Sequence, residues 1–292
     1  MHVIVKAVLL AGLVAAAMPG VAAAPAAVVE GVQMPAWIDR ASGGRVPLAP
    51  GMQLRAGDQV RTGANSRLLV KLAEGSLVKL GENGTLRIAG IEPRRDGFFR
   101  AALSVAEGAF RFTTDALRKA RGRDVQIVVG TVTAGIRGTD LWGKSDRADR
   151  QIVCLIEGAI EVAAPGESPV RLDQPRQFYQ RERGRTAPIG FVEPAQLAEW
   201  AKETEIAAGA GAARRGGRYV VTLLEADTQQ AALSVYDQAR AAGYAATILP
   251  VSAGQSYAYR VRITGLPTKA EAAALAASLK GRFGAQEPRV SG

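Results

Sequence analysis

Three stretches of this chain share one frame: Leu72-Ala73-Glu74-Gly75-Ser76-Leu77-Val78-Lys79-Leu80, Ser104-Val105-Ala106-Glu107-Gly108-Ala109-Phe110-Arg111-Phe112 and Cys154-Leu155-Ile156-Glu157-Gly158-Ala159-Ile160-Glu161-Val162. In each, a Glu-Gly step separates two extended halves, and the later half places apolar residues at alternate positions, hence on one face of a strand. A period of two, broken every few residues by glycine, asparagine or aspartate, excludes helices with a buried stripe and commits the segment to half-buried strands. The frames are irregularly spaced, so they are recurring turn chemistry rather than a solenoid repeat. The same texture runs from about residue 28 to residue 185. Leu68-Leu69-Val70-Lys71-Leu72, Leu77-Val78-Lys79-Leu80 and Leu86-Arg87-Ile88 are separated by Glu74-Gly75 and Glu82-Asn83-Gly84, which predicts consecutive hairpins. Residues 28–190 are expected to form an all-β domain of short hairpins.

The pattern changes at Glu193. Pro194 suits a first helical turn, and the run through Ile206 continues it with Leu197, Trp200 and Ala201 on one side. Residues 207–217 are rich in Ala and Gly and carry Arg214-Arg215, so 194–217 reads as a helix and a flexible linker. Residues 218–292 obey another rule. Strands are expected over 219–224, 245–251 and 257–263, with an edge strand over 287–290, and helices over 228–242 and 268–283. The second helix carries the capping box Thr268-Lys269-Ala270-Glu271 and the stripe Ala272, Leu275, Ala276, Leu279, Phe283; Asp227 and Gln230 take similar positions at the first. Two helices on one face of an antiparallel sheet give an α+β domain whose other sheet face is open.

Residue counts then exclude whole classes of chemistry. The chain has one histidine, His2, and one cysteine, Cys154. His2 lies in what reads as a signal peptide over 1–24: a basic start ending at Lys6, an apolar run over 7–17, Pro19-Gly20 and small residues. That run is shorter than the ~20 residues of a spanning helix. A mature chain without histidine has no Ser-His-Asp or Cys-His catalysis and no His-ligated metal, and a lone cysteine makes no internal disulfide. No cofactor is expected. Cys154, between Val153 and Leu155, reads as a buried small hydrophobe. The formal net charge of +10 favours polyanionic partners. Export disfavours nucleic acid, and the cluster Arg118, Lys119, Arg121, Arg123 runs straight into Asp124 without aromatics, as a solvated loop does. The expected location is the periplasm, with no transmembrane segment in the mature protein.

Two resemblances follow from motifs. Gly57-Asp58-Gln59-Val60-Arg61-Thr62-Gly63, then Glu74-Gly75-Ser76, then Thr131 to Asp140 with Arg137-Gly138-Thr139, then Leu155-Ile156-Glu157-Gly158-Ala159-Ile160, resemble the FecR domain over about residues 28–180. Thr133 stands where that family commonly has proline and Leu141 where it has phenylalanine. The resemblance implies a β-rich exported domain of the kind found in regulators of sigma-factor signalling, with motifs that serve as architectural turns. Tyr219-Val220-Val221-Thr222-Leu223, Ala232 and Ala239, Gly243-Tyr244, Tyr259-Arg260-Val261-Arg262-Ile263, Gly265-Leu266-Pro267 and Ala270-Glu271-Ala272 resemble the SPOR domain over about 219–292. That resemblance implies a peptidoglycan-binding module. Thr222, Leu224 and Ala226 depart from the family at the end of the first strand.

Strand alternation locates the ligand face. With Val221, Leu223, Val261 and Ile263 toward the helices, Val220, Thr222, Leu224, Arg260 and Arg262 are expected outward as the glycan-binding residues. Guanidinium forks and a hydroxyl suit the hydroxyls, N-acetyl groups and lactyl carboxylates of stripped glycan strands. Glu74, Glu107 and Glu157 could pair as glycosidase carboxylates, which need ~5–9.5 Å between them, but turn formation at the following glycine accounts for them. Ser76-Leu77-Val78-Lys79 matches a Ser-Lys motif by coincidence, since alternation puts the two on opposite faces. No catalytic and no metal residues are expected. The sequence reads as a non-enzymatic adaptor that binds glycan strands through its C-terminal domain, at the division site, and an envelope protein through its β domain. The alternative is a periplasmic signalling component.

Overall fold

The computed structural model describes residues 26–93, 98–114, 123–136, 138–146, 149–254 and 256–292. The expected signal peptide, Arg118, Lys119 and Arg121 of the basic cluster, and Arg137 lie outside the described residues. In chain order the strands begin with β1 (Ala27–Gln33), β2 (Ala36–Asp39), β3 (Arg45–Pro47), β4 (Gln53–Leu54), β5 (Gln59–Thr62), β6 (Arg67–Leu72), β7 (Leu77–Leu80), β8 (Thr85–Pro93) and β9 (Phe99–Thr113). They continue with β10 (Arg123–Val129), β11 (Val132–Ile136), β12 (Asp140–Ser145), β13 (Arg150–Glu157), β14 (Ile160–Ala163), β15 (Val170–Leu172), β16 (Gln177–Glu182), β17 (Arg185–Thr186) and β18 (Gly190–Phe191). Then come α1 (Pro194–Lys202), β19 (Ala213–Arg214), β20 (Tyr219–Ala226), α2 (Gln229–Ala241), β21 (Thr247–Ala253), β22 (Ser256–Leu266), α3 (Lys269–Leu279) and β23 (Arg289–Ser291).

The N-terminal strands form two sheets whose inward residues merge into one core. One sheet runs β1-β6-β7-β9-β12-β13-β16, and the other runs β3-β2-β5-β8-β9-β10-β11-β14-β15. Alternation supplies the core: Leu68, Val70 and Leu72 from one sheet meet Leu86, Ile88, Val125, Ile127 and Val129 from the other. The 15-residue β9 belongs to both sheets. It pairs with β8 and β10 up to Glu107 and with β7 and β12 from Gly108 onward. Its inward residues change from odd (Phe99, Ala101, Leu103, Val105) to even (Phe110, Phe112) across that step. The β9–β10 pair is parallel.

The shared Glu-Gly frame therefore serves two purposes. Glu74-Gly75 closes the expected β6–β7 hairpin. Glu107-Gly108 is the corner inside β9, and Glu157-Gly158 carries the chain from β13 in the first sheet to β14 in the second. The three glycines have φ of 104°, 93° and 95°, which L side chains rarely adopt, so the dipeptide supplies a sharp change of direction in either setting. The expectation of a β7–β8 hairpin at Glu82-Asn83-Gly84 is corrected in the same way. β7 pairs with β9 and β8 with β5, so this turn crosses between sheets. Thr62 secures the crossing, its Oγ1 donating to the Gly81 carbonyl at 2.6 Å and accepting from Gly84 N at 2.8 Å. Asp58 is a similar buried tie, accepting from Arg55 N, Ala41 N and the Arg40 guanidinium.

α1 lies on the outer face of the first sheet, over a cross-strand line of Lys79, Arg111, Trp142, Cys154 and Phe178. Trp200 stacks on Trp142 with centroids 4.7 Å apart and meets Phe178 edge-on. Beyond the helix, Glu203 bonds Lys144 at 2.8 Å, and Glu205 pairs with Lys79 and Arg111. Arg111 is also held bidentately by Asp140, which raises its pKa.

The segment expected as a flexible linker is tied down on both sides. β19 pairs with β1, and Arg215 N donates to the Glu30 carbonyl. From the other side, both carboxylate oxygens of Glu271 accept backbone N–H bonds, from Gly209 at 2.7 Å, Gly211 at 2.7 Å and Ala212 at 3.0 Å. Ala/Gly composition leaves a chain flexible only while its backbone groups lack partners, and here a carboxylate and a strand edge supply them. Glu271 N meets the Thr268 hydroxyl as the capping box predicts, while the carboxylate serves this strap. At α2 the N-cap is Thr228 rather than Asp227.

The C-terminal domain has the expected architecture: an antiparallel sheet in the order β21-β22-β20-β23 with α2 and α3 on one face. Its helix layer meets the N-terminal domain. The Ala241 carbonyl at the end of α2, which a helix leaves unpaired, accepts from the Trp37 indole N–H at 3.3 Å, and the Gly243 carbonyl just beyond the helix accepts from Ala36 N at 3.1 Å. Gly243 has φ +86°, and a Cβ there would fall 2.6 Å from the Trp37 ring, so glycine permits the close approach.

Candidate functional site

The open face of the C-terminal sheet is built by register. Val221, Leu223, Val261 and Ile263 are buried under the helices, as alternation predicts. β20 then pairs Thr222 with Arg262 on one side and Arg289 on the other, while Thr247 of β21 pairs with Arg262. The result is one outward row, Thr247-Arg262-Thr222-Arg289, in which two guanidinium side chains flank a hydroxyl. Val220 shares that face, opposite Ser291.

A β-bulge corrects one expected position. The register shifts between Thr222 and Leu224, so Leu224 pairs with the buried Val261 and packs against the core instead of facing outward. One unpaired residue inverts the alternation after it, and Glu225 takes the outward place. There it holds Arg260 bidentately, at 3.0 Å and 3.3 Å. These hydrogen bonds keep the Glu225 carboxyl below the usual carboxylate range, so the pair stays ionised through mild acidification. Arg260 therefore has an internal partner. Among the described residues, Arg262 and Arg289 make no ion pair, and the Arg262 Nε–H is shielded from solvent with no acceptor. A cleft of about 250 Å³ lies beside Thr222, between Glu225, Glu287 and Arg289. The strap meets this sheet near Gly265 of β22.

Of the five nominated residues the structure thus brings Val220, Thr222, Arg260 and Arg262 to the open face and removes Leu224. Arg289 and Thr247 are additions. Arg289 was legible as part of an edge strand, but its place beside Thr222 depends on a register that no local pattern encodes.

The other nominated groups are dispersed. Cys154 is fully buried, and burial pushes its thiol pKa up to about 12, as befits a packed apolar residue. Ser76 is buried inside the sandwich, while Lys79 is on the outer face with Glu205. Glu74 is buried, not exposed at its turn, whereas Glu107 sits at the β9 corner and Glu157 at the β13–β14 corner. Among the described residues no group of three or more His, Cys, Asp or Glu could hold a metal, and no helix is long and apolar enough to cross a membrane.

Comparison with known families and structures gives the following. The FecR protein family model matches residues 58–161, and the SPOR domain model matches residues 216–287. No curated protein matches the chain. A 1.65 Å crystal structure of a candidate anti-sigma factor from Parabacteroides distasonis is 17% identical, covering 49% of this chain and 64% of that one, with a TM-score of 0.39. A 2.50 Å structure of the same description is 16% identical, covering 76% and 89%, also with a TM-score of 0.39. This chain spans just under two thirds of the first structure's length.

Proposed function

For a chain that carries a FecR domain followed by a SPOR domain, we propose a non-enzymatic periplasmic protein, exported by its signal peptide, that binds peptidoglycan glycan strands on the open C-terminal sheet. The observation that carries this reading is the outward row Arg262-Thr222-Arg289, whose guanidiniums make no ion pair among the described residues. A planar guanidinium fork fits the carboxylate and carbonyl oxygens of lactyl and N-acetyl groups. Thr222 between the forks adds a hydroxyl donor and acceptor.

The mechanism is localisation. The sheet faces away from the helix layer that docks on the N-terminal domain, so a bound strand and a FecR-bound envelope protein do not compete for one surface. Where stem peptides have been removed, as at a division site, bare glycan concentrates the protein.

Arg262→Ala with Arg289→Ala is expected to lower retention on amidase-treated sacculi at least about tenfold, since each lost charge-assisted bond is worth ~1.5–3 kcal/mol before solvent competes. Arg260→Ala is expected to change it less, because Arg260 is engaged by Glu225. Retention unchanged in the double variant excludes this face. The FecR match favours a second reading, an envelope-signalling component. An exported fluorescent fusion of the full chain distinguishes the two: septal accumulation supports the glycan reader, and diffuse periplasmic signal supports signalling.

A further inference from the structure

The outer face of the first sheet carries a small core of its own. Ala109, Trp142, Ile152, Cys154 and Val192 are buried there, apart from the residues between the two sheets, and Leu197 and Trp200 of α1 close over them. The strands that supply this floor, β9, β12 and β13, fall within the FecR match, whereas α1 lies outside both matched segments. The cover is an addition laid on a face that the domain itself builds.

That cover is weakly held. α1 is nine residues long, none of them fully buried, and its N-cap Glu193 makes no side-chain capping bond. Isolated helices shorter than ~12–15 residues are marginal in water, so α1 keeps its form only while docked. Beneath it the fully buried Trp142 has an indole N–H shielded from solvent and without an acceptor among the described residues. Phe178 and Ile156 stay only partly covered. The ion pairs beyond the helix, Glu203 with Lys144 and Glu205 with Lys79 and Arg111, are partly exposed, where such pairs hold weakly.

The helix can also leave without undoing the contact between the domains. The chain is anchored before α1 by β18 and by Val192 N on the Arg176 carbonyl, and after it by Gly209 N on Glu271. At ~3.3–3.6 Å per extended residue, the stretch 193–208 between those anchors spans roughly 50 Å, so α1 can swing off the sheet while the strap and the C-terminal domain stay in place.

What fills the face now shows what it selects. An aromatic floor beside Lys79, Arg111 and Lys144 complements an apolar stripe followed by carboxylates, which is the pattern of Leu197, Trp200, Glu203 and Glu205. Asp140 neutralises one of the three cations and leaves the face basic. A helix laid on such a groove binds through anchors at helical spacing. We propose that this face is the partner-docking site of the FecR domain and that α1 is its resident stand-in. The occupant that displaces α1 is a longer amphipathic helix of an envelope protein, with a leucine and a large aromatic residue three positions apart and acidic residues in the following turn. The proposal rests on the reading that the β domain binds an envelope protein.

The probe is a fluorescein-labelled synthetic peptide of residues 193–206, lengthened at its N-terminus by two helical turns of Ala, Glu and Lys, and its binding to full-length protein is followed by anisotropy. Trp200→Ala, which releases the resident helix, is expected to tighten binding at least tenfold over wild type. Adding Lys79→Ala with Lys144→Ala should weaken it at least tenfold again, and a peptide with alanine in place of its tryptophan should not bind. In wild type the peptide should quicken amide exchange over 197–202 and leave Gly209, Gly211 and Ala212 protected. If Trp200→Ala does not fold, Glu203→Ala with Glu205→Ala loosens α1 for the same comparison. Equal affinity for wild type and the released variant, or no binding to a folded released variant, overturns the proposal. So does a released variant that dimerises, or binds phosphatidylglycerol vesicles, without reversal by the peptide, since the occupant is then a second copy or a lipid surface. Retention on amidase-treated sacculi, measured on the same proteins, keeps the readings apart: lost peptide binding with normal retention removes this face alone, and lost retention with normal peptide binding removes the glycan reading alone.

Discussion

Glu271→Ala is expected to lower the unfolding free energy by about 3–5 kcal/mol, read as a fall in the urea midpoint. The size follows from what the carboxylate does. Its two oxygens accept from Gly209, Gly211 and Ala212, and the last two bonds are buried. Hydrogen bonds to a charged group contribute ~1.5–3 kcal/mol each, and a buried N–H left unpaired costs ~1–3 kcal/mol. The same strap is fastened to β1 by β19 and by Arg215, which pairs with Glu30 at 3.3 Å. Loss of Glu271 therefore frees one end of the element that joins the two domains. Amide exchange at Gly209, Gly211 and Ala212 should quicken together. Glu271→Gln, with one acceptor oxygen and an opposed NH2 group, should lose roughly half as much. A change below ~1 kcal/mol for the alanine variant would mean that water or a local rearrangement satisfies these groups.

Trp142→Ala is expected to cost about 3–5 kcal/mol, the usual range for removing a large buried aromatic. Trp142 is fully buried beneath α1, and its ring supplies the platform for Trp200. No residue of α1 is fully buried, so the helix depends on Leu197 and Trp200 for its attachment to this outer face. Trp200→Ala should detach α1 with a smaller loss, and Trp142→Phe should recover part of it because an aromatic pair is worth ~0.5–1.5 kcal/mol beyond its area. Denaturation curves for the three variants check the order. Equal stability of Trp200→Ala and wild type would show that the Glu203–Lys144 and Glu205–Lys79 pairs hold the segment without the stack.

The fold class was legible because alternation is local. Leu68, Val70 and Leu72 declare a half-buried strand without reference to anything distant, and Thr268 declares a helix start. What alternation cannot encode is which sheet a strand joins. Glu74-Gly75 and Glu107-Gly108 look alike in sequence because both need a positive-φ glycine, yet one closes a hairpin and the other turns a single strand between sheets. At the site, parity placed Val220, Thr222, Arg260 and Arg262 and failed at Leu224, where one bulged residue inverts it. The Ala/Gly-rich strap looked free because its partners, Glu271 and β1, lie far away in the chain.

Together these elements fix the C-terminal sheet, proposed as the glycan-binding face, to a β sandwich rather than tethering it loosely. The most direct test is retention of the full-length protein on purified sacculi before and after amidase removes the stem peptides. The account predicts several-fold greater retention on the stripped glycan, lost when Arg262 and Arg289 are both replaced by alanine. Equal or weaker retention after amidase would contradict it.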